Sequence, residues 1–384
     1  MMAEAVVELD DELWQKVYEI TAGAMNPCFQ CGTCTASCPL LSYLDRPLSA
    51  RRILRRAQLG LEGGMEDIWM CSACRSCEVR CPRDVHIVEA IMGLRALAFK
   101  ARTVPREMNK LLWSTLEEGN PWNDPRSERA RWAEGLKVRD AAEGVSVLLY
   151  VGCAGSYDPR LQGVARGLMQ VLNQAGVEVG ILGSRERCCG DAVRVTGERG
   201  YLQGLVEENV KTFEGTGANT IVAISPHCFD MFRNLYPRYG LEAEVLHYTE
   251  YLEHMLDKGI LKPAKVKGSR VAYHDPCYLG RYNGIFEPPR KLLESVPGLE
   301  LEELRDNRLN ALCCGGGGGG MWREEGGERL SDKRMEQVKE ADIPLLATSC
   351  PYCIQNFEDS THRMQGARVV DVMELLAPTK AVRG

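Results

Sequence analysis

The sequence predicts a multidomain fold: an all-α N-terminal domain followed by two repeated α/β domains, each built on a mostly parallel sheet. Three observations predict it. One cysteine run occurs twice within the first hundred residues, among segments of helical periodicity. A second set of cysteine motifs occurs twice, in the same order, in the remainder. Through that remainder short apolar runs alternate with helical stretches, as in βα units of an open parallel sheet. The expected boundaries are 1-112 for the all-α domain, 113-144 for a connector, 145-267 for the first repeat and 268-384 for the second.

In the first domain Cys28, Cys31, Cys34 and Cys38 are spaced C-x2-C-x2-C-x3-C-P, and Cys71, Cys74, Cys77 and Cys81 repeat that spacing, with Pro39 and Pro82 closing the runs. This is the bacterial run for cubane 4Fe-4S clusters. Three thiolates on a tight loop grip one face of a cube, and the fourth ligates the other cluster. The expected sets are therefore Cys28, Cys31 and Cys34 with Cys81, and Cys71, Cys74 and Cys77 with Cys38. Two complete runs are far more specific than the CxxC pairs of a zinc site. In "DDELWQKVYEITAG" Leu13, Val17 and Ile20 fall on one stripe, with Asp10 or Asp11 as cap and Gly23 as stop. "LSARRILRRAQLG" and "DVHIVEAIMGLRALAFKAR" have similar spacing. The long interval between Cys38 and Cys71 has room for a helix, so a helical, ferredoxin-like two-cluster domain is expected rather than a compact β-type one. Arg51, Arg52, Arg55 and Arg56 form a basic face, either solvated or a docking surface for an acidic redox partner. Residues 115–144 are rich in charge, Pro and Gly, with Trp122 and Trp132 as anchors, and read as a connector without chemistry.

Composition narrows the function class. The chain has 384 residues, 45% hydrophobic and 26% charged, with a net charge of −6. A general nucleic-acid surface is not indicated. No apolar run has the length of a membrane span. The N-terminal stretch lacks the basic start and apolar core of a signal peptide, so a cytoplasmic location is expected. The 17 cysteines are too many and too patterned for stray thiols, and an odd number in a chain of this size argues for metal rather than a disulfide framework.

The repeat has a clear register. "VSVLLYVGC" ends in Cys153 and "RVAYHDPC" in Cys277; Cys188-Cys189-Gly190 matches Cys313-Cys314-Gly315; "NTIVAISPHC" matches "IPLLATSCPYC". The interval from Cys189 to Ser225 equals that from Cys314 to Cys350, so Ser225 stands where the second copy has a cysteine. The cysteines follow strands, where open α/β sheets build their ligand crevices, and two facing copies would set two sulfur-rich crevices near their interface. In "CCGGGGGGMW" no GK[ST] follows the glycines, so close backbone approach explains the run better than a phosphate cradle. His227 and His274 lie beside cysteines, as supporting imidazoles or as proton donors to a departing thiolate; His227 is also a substitute ligand for the missing cysteine. His86, His247, His254 and His362 have no special context.

Two units of the form C-x(n)-C-C-G-x(n)-C-x-x-C behind a two-cluster domain resemble heterodisulfide reductase, in the arrangement that fuses the ferredoxin-like and catalytic iron–sulfur subunits. "NPCFQCGTCTASCP", "IWMCSACRSCEVRCP", "GNPW", "YHDPCYLGR" and "CCGGGGGG" carry the resemblance over nearly the whole chain. Iron–sulfur subunits of glycolate, lactate and glycerol-3-phosphate dehydrogenases and of electron-transfer-flavoprotein complexes share the plan. The resemblance implies Rossmann-like CCG domains and a noncubane 4Fe-4S cluster on Cys277, Cys313, Cys314, Cys350 and Cys353, where a disulfide is bound and split, with His274 beside it. It implies electrons arriving from a flavin or haem b subunit through the two cubanes. The first unit departs from the pattern, offering Cys153, Cys188, Cys189 and Cys228. A serine alcohol is a poor ligand at neutral pH, but four thiolates suffice for a further iron–sulfur cluster or a zinc. The alternatives to disulfide chemistry are a pure electron relay in a quinone-linked complex and a metal-stabilised scaffold.

Overall fold

The computed structural model describes residues 10–43, 48–61, 66–323, 329–363 and 366–376. The first nine residues, which entered the argument against a signal peptide, and the C-terminal stretch beyond 376 lie outside these.

The N-terminal domain is helical. The helix Asp11–Ile20 starts where Asp10 Oδ1 accepts from the Leu13 amide at 2.8 Å, an N-cap that satisfies one free amide of the first turn. Ser49 does the same for Ala50–Gln58, whose Ile53, Leu54 and Ala57 face the core while Arg51, Arg52 and Arg55 face out. The helix Ile87–Lys100 buries Ile87, Ala90, Ile91 and Leu94 and packs on Asp11–Ile20. At the crossing a Cβ on Gly93 would lie 2.6 Å from Thr21 Cγ2, so only glycine allows this approach.

The repeats form two parallel sheets. In the first, β1 (Arg139–Asp140), β2 (Val147–Tyr150), β3 (Val179–Ile181), β4 (Thr220–Ala223) and β5 (Glu244–His247) lie in the order β1-β3-β2-β4-β5. In the second, β6 (Ser269–Tyr273), β7 (Leu299–Glu302), β8 (Leu345–Thr348) and β9 (Arg368–Asp371) lie in the order β7-β6-β8-β9. Without β1 the two orders are identical. Each sheet reverses its winding between its first and third repeat strands, β2 and β4 or β6 and β8, and ligand crevices open at the carboxyl ends of such a pair.

The segment read as a connector does more than connect. The helix Arg106–Glu118 runs through the boundary placed at residue 112, and β1 extends the first sheet from within the segment. Trp132 is buried in a core shared by both repeats, which joins Leu149, Leu168 and Val222 to Val271, Leu346 and Val370. Polar clamps cross the same interface. Arg160 binds Glu358 at 2.6 Å and Glu374 at 2.7 Å, and Tyr248 donates to Asp371 at 2.7 Å.

Arg95 ties the three domains together. It is fully buried, and its guanidinium donates to the carbonyls of Ile68, Trp69 and Cys71, of Val195 in the first repeat and of Gly318 in the second. Burial lowers its pKa to about 10, which leaves it charged near neutrality. The glycine run lies here. A Cβ on Gly317 would meet the Ser72 carbonyl at 2.5 Å, and one on Gly318 the Cys71 carbonyl at 2.2 Å. Close approach is thus the use of these glycines, and it is an approach of the second repeat's backbone to that of the N-terminal domain.

Candidate metal centres

The two N-terminal runs fold across one another. Cys28, Cys31, Cys34 and Cys81 line one cavity of about 330 Å³, closed by Leu54, Val85 and Ile87. Cys38, Cys71, Cys74 and Cys77 line a second of about 350 Å³, closed by Leu48, Val88 and Ile91. The fourth cysteine of each run therefore joins the first three of the other. Cys31 is exposed, whereas Cys71 and Cys74 are buried. Burial raises the Cys71 thiol to about 11 and pushes Cys38 and Cys77 up as well.

The second set abuts the second repeat. Cys313 Sγ lies 3.8 Å from Ser72 Oγ, and Cys313 is a hydrogen-bonding neighbour of both Cys74 and Cys277. Cys314 and Cys353 have their sulfurs 3.3 Å apart, and Cys350 neighbours Cys353. Cys277, Cys313, Cys314, Cys350 and Cys353 thus form one buried group, reached from β6, β7 and β8 at the winding reversal. Outside it, a polar cavity leads to Cys314, lined also by Ser72, Arg329, Ser331 and Asn356. Arg281, buried between the groups, donates to the carbonyls of Cys74 and Ala311.

In the first repeat Cys188 neighbours Cys153 and Cys189, and Cys189 neighbours Cys228. Ser225 Oγ accepts from the His227 amide at 3.3 Å and caps the helix Pro226–Asp230. The residue in the fifth cysteine's place therefore has a structural task. Arg129, from the segment expected to carry no chemistry, sets Nη2 3.4 Å from Cys153 Sγ and 2.7 Å from Glu186 Oε1. Spacing to a cysteine could not reveal it, because it arrives from outside the repeat.

The histidines separate. His274 packs edge-on against Phe357 with ring centres 4.7 Å apart, and no described hydrogen bond or ring contact of its side chain reaches a cysteine. Burial holds it neutral, with the charges of Arg334 and Arg281 acting the same way. His227 instead crosses to the other repeat. Its Nδ1 is 2.8 Å from Asp191 Oδ2, its ring stacks 3.8 Å from Tyr278, and it hydrogen-bonds Cys350. Burial alone would lower its pKa, but Asp191 and Cys350 together raise it to about 9. The rings of His227, Tyr278 and Tyr352 fill the space between the two sulfur groups, with His227 and Tyr352 centred 4.5 Å apart. The two crevices do not open onto a common chamber there.

These donors fit iron–sulfur clusters. Thiolates suit iron, and the first-domain cavities offer four each with apolar walls. Among the described residues Arg281 Nη2 is buried without a hydrogen-bond partner, close to Cys74, Cys277 and Cys313, where cluster sulfur would accept from it. A Cβ on Gly152, at φ +76°, would lie 3.2 Å from Cys228 Sγ, so that wall too is kept clear. Among the described residues no three His, Cys, Asp or Glu side chains converge as ligands of a single ion do. A cluster does not require this, because its thiolates end on different irons.

Comparison with known proteins gives the same division. Residues 24–85 match the 4Fe-4S dicluster domain, and residues 147–233 and 271–358 each match the CCG cysteine-rich domain. The chain is an iron–sulfur oxidoreductase subunit. It belongs to the heterodisulfide reductase family of iron–sulfur proteins, in which a dicluster domain accompanies two CCG domains. It is 36% identical to the probable iron-sulfur-binding oxidoreductase FadF of Bacillus subtilis, over 81% of this chain and 46% of that protein. It is 34% identical to the EtfAB:quinone oxidoreductase of Syntrophomonas wolfei, over 82% and 46%. It is 28% identical to a subunit of the dihydromethanophenazine:CoB--CoM heterodisulfide reductase of Methanosarcina acetivorans, over 92% and 93%. The chain thus spans about half the length of the first two, at 46% each. Among the described residues no helix is long and apolar enough to cross a membrane.

Proposed function

We propose that this chain carries electrons between a flavin- or haem-containing partner and one terminal site in the second repeat. Cys28, Cys31, Cys34 and Cys81 would hold an outer cubane, Cys71, Cys74, Cys77 and Cys38 an inner one, and Cys277, Cys313, Cys314, Cys350 and Cys353 a noncubane cluster. Bound clusters supply one-electron storage at potentials set by charge, hydrogen bonds and burial. The observation that carries the reading is the abutment of Cys74 and Ser72 on Cys313, which joins the inner set to the five-cysteine group without intervening solvent. At that group a disulfide taking up two electrons and two protons leaves as two thiols. The polar cavity at Cys314 gives access, and His227, fixed by Asp191 against Cys350, stands where a departing thiolate needs a proton.

Ser225 and the rings packed between the crevices favour chemistry at one site over a disulfide shared by two. They also support a second reading, an electron relay to a quinone-linked acceptor, in line with the higher identity to the EtfAB:quinone oxidoreductase. The four first-repeat cysteines then hold a further iron–sulfur cluster or a zinc with no acceptor of its own.

Metal content of anaerobically purified protein, with EPR spectra after thiol oxidation, tests this. About 12 Fe with about one Zn per chain fits two cubanes, one noncubane cluster and a structural first repeat. About 16 Fe and no Zn fits a fourth cluster. A thiol-dependent EPR species lost in Cys350→Ala supports disulfide chemistry; its absence from the fully loaded protein favours the relay, and about 8 Fe overturns the five-cysteine cluster.

A further inference from the structure

The face around Cys31 combines features that the fold does not use for itself. Cys31 is the exposed member of its set, and the adjoining Phe29 is 61% exposed. A recess of about 660 Å³ opens beside them, lined by Trp14, Cys28, Phe29, Gln30, Arg51 and Arg55. Arg52, on the same helix Ala50–Gln58, is held by Asp67. Arg51 and Arg55 have no carboxylate partner among the described residues. Their charge is local and opposite to the net −6 of the chain. An apolar centre rimmed by cations, over the thiolates nearest solvent, is the anatomy of an electron-transfer contact.

We propose that Phe29 and the Arg51–Arg55 face of the helix Ala50–Gln58 form the docking surface for an acidic electron-carrying protein, which exchanges one electron at a time with the cluster site that includes Cys31. The inference rests on the reading of Cys28, Cys31, Cys34 and Cys81 as a cluster site. Phe29 supplies the desolvated contact and the two guanidiniums supply steering. Clefts or faces of one sign raise association rates by about 10- to 1,000-fold, and salt removes the gain. An anionic lipid surface is less well matched. A single exposed ring inserts little apolar area, and a membrane gives no reason to place the least protected cysteine of the set at the centre of the patch.

The test uses the cluster-loaded full chain and flavodoxin hydroquinone, an acidic FMN protein, as the electron-donating probe. Oxidation of the hydroquinone to the semiquinone balances one-electron reduction of the chain. The bimolecular rate is expected to fall about 10-fold or more from low salt to about 0.3 M, where the Debye length shrinks to several ångströms. At low salt a similar fall is expected in Arg51→Glu/Arg55→Glu, while reduction by the neutral photoproduced 5-deazariboflavin radical stays unchanged. Phe29→Ser is expected to slow flavodoxin at every salt concentration. A salt-independent flavodoxin rate in the wild-type chain overturns the proposal without need of a variant. So does equal slowing of both donors in the loaded charge-reversal variant, because the defect then lies in the cluster. Salt-sensitive binding to vesicles of phosphatidylglycerol and phosphatidylcholine, with no salt-sensitive flavodoxin rate, assigns the patch to a membrane instead. Absence of an EPR-detectable cluster lost in Cys31→Ala would refute the underlying cluster reading, and that result is separable from the docking result.

Discussion

Arg129 brings its guanidinium from outside the first repeat and sets it between Glu186 and Cys153, with the Arg129 and Glu186 side chains 1% and 5% exposed. Glu186 also accepts from the amides of Val151 and Gly152, at 3.1 and 3.0 Å. It thereby holds the turn that carries Cys153. Removing one partner of a buried pair leaves the other charge uncompensated. Arg129→Met is therefore expected to destabilise the chain by roughly 3–5 kcal/mol, and adding Glu186→Gln should recover part of it; anaerobic urea unfolding of both variants measures this. Ser225 poses the complementary problem. Its hydroxyl caps a helix, so Ser225→Cys gives up a cap worth about 1 kcal/mol and gains a fifth thiol beside Cys228 and Cys189. The expected outcome is a slightly less stable protein with a second thiol-sensitive EPR signal. An unchanged spectrum would show that the first repeat lacks more than its fifth cysteine.

The turn Gly315–Gly319 and the loop Cys71–Ser72 act as one joint. Gly318 has φ +60°, and its absent Cβ leaves room for the Cys71 carbonyl, while Arg95 bonds the carbonyls on both sides. Gly318→Ala would place a methyl 2.2 Å from that oxygen. The second repeat must then move off the N-terminal domain, at a cost on the order of several kcal/mol. The expected readout is slower reduction of the terminal site with the N-terminal clusters still reducible, followed by freeze-quench EPR. The strands are less sensitive, because the order β7-β6-β8-β9 rests on many backbone pairs. β1 is the exception: it is two residues long and pairs only with β3.

The three domains are assembled through buried polar contacts as well as a common core. Tyr248 of the first repeat donates to Asp371 of the second, and burial raises this carboxyl from its usual 3.8 to about 7. The unfolded chain loses that proton near its usual pKa, whereas the folded chain keeps it until about pH 7. The unfolded state therefore binds fewer protons across this window, and the contribution of Asp371 to stability falls as pH rises through it and levels off above. Asp371→Asn should flatten this part of the profile, which anaerobic thermal melts from mildly acidic to mildly basic pH would show. A slope unchanged in the variant would place the titration elsewhere. The same assembly places His227 of one repeat on Cys350 of the other, so the first repeat serves the second repeat's site whatever its own cysteines hold.

The local chemistry was legible in the sequence. Cysteine spacing is a nearly direct record of which thiols lie on one tight loop, and alternation of apolar strands with helical stretches implied two parallel sheets. Register alone exposed Ser225. The caps at Asp10 and Ser49 follow from side chains that bond their own backbone a few residues on. What only the tertiary structure decided concerns groups distant in sequence: Arg129 on Cys153, Arg95 across three domains, His227 rather than His274 at a cysteine, and the rings between the crevices. The reason is physical. Spacing reports contacts that the local chain geometry imposes. The packing of one repeat on another depends on the complementarity of whole surfaces, which a motif does not encode. The glycine run lay between these cases, since its need for close approach was visible but the partner, the backbone of Cys71 and Ser72, was not.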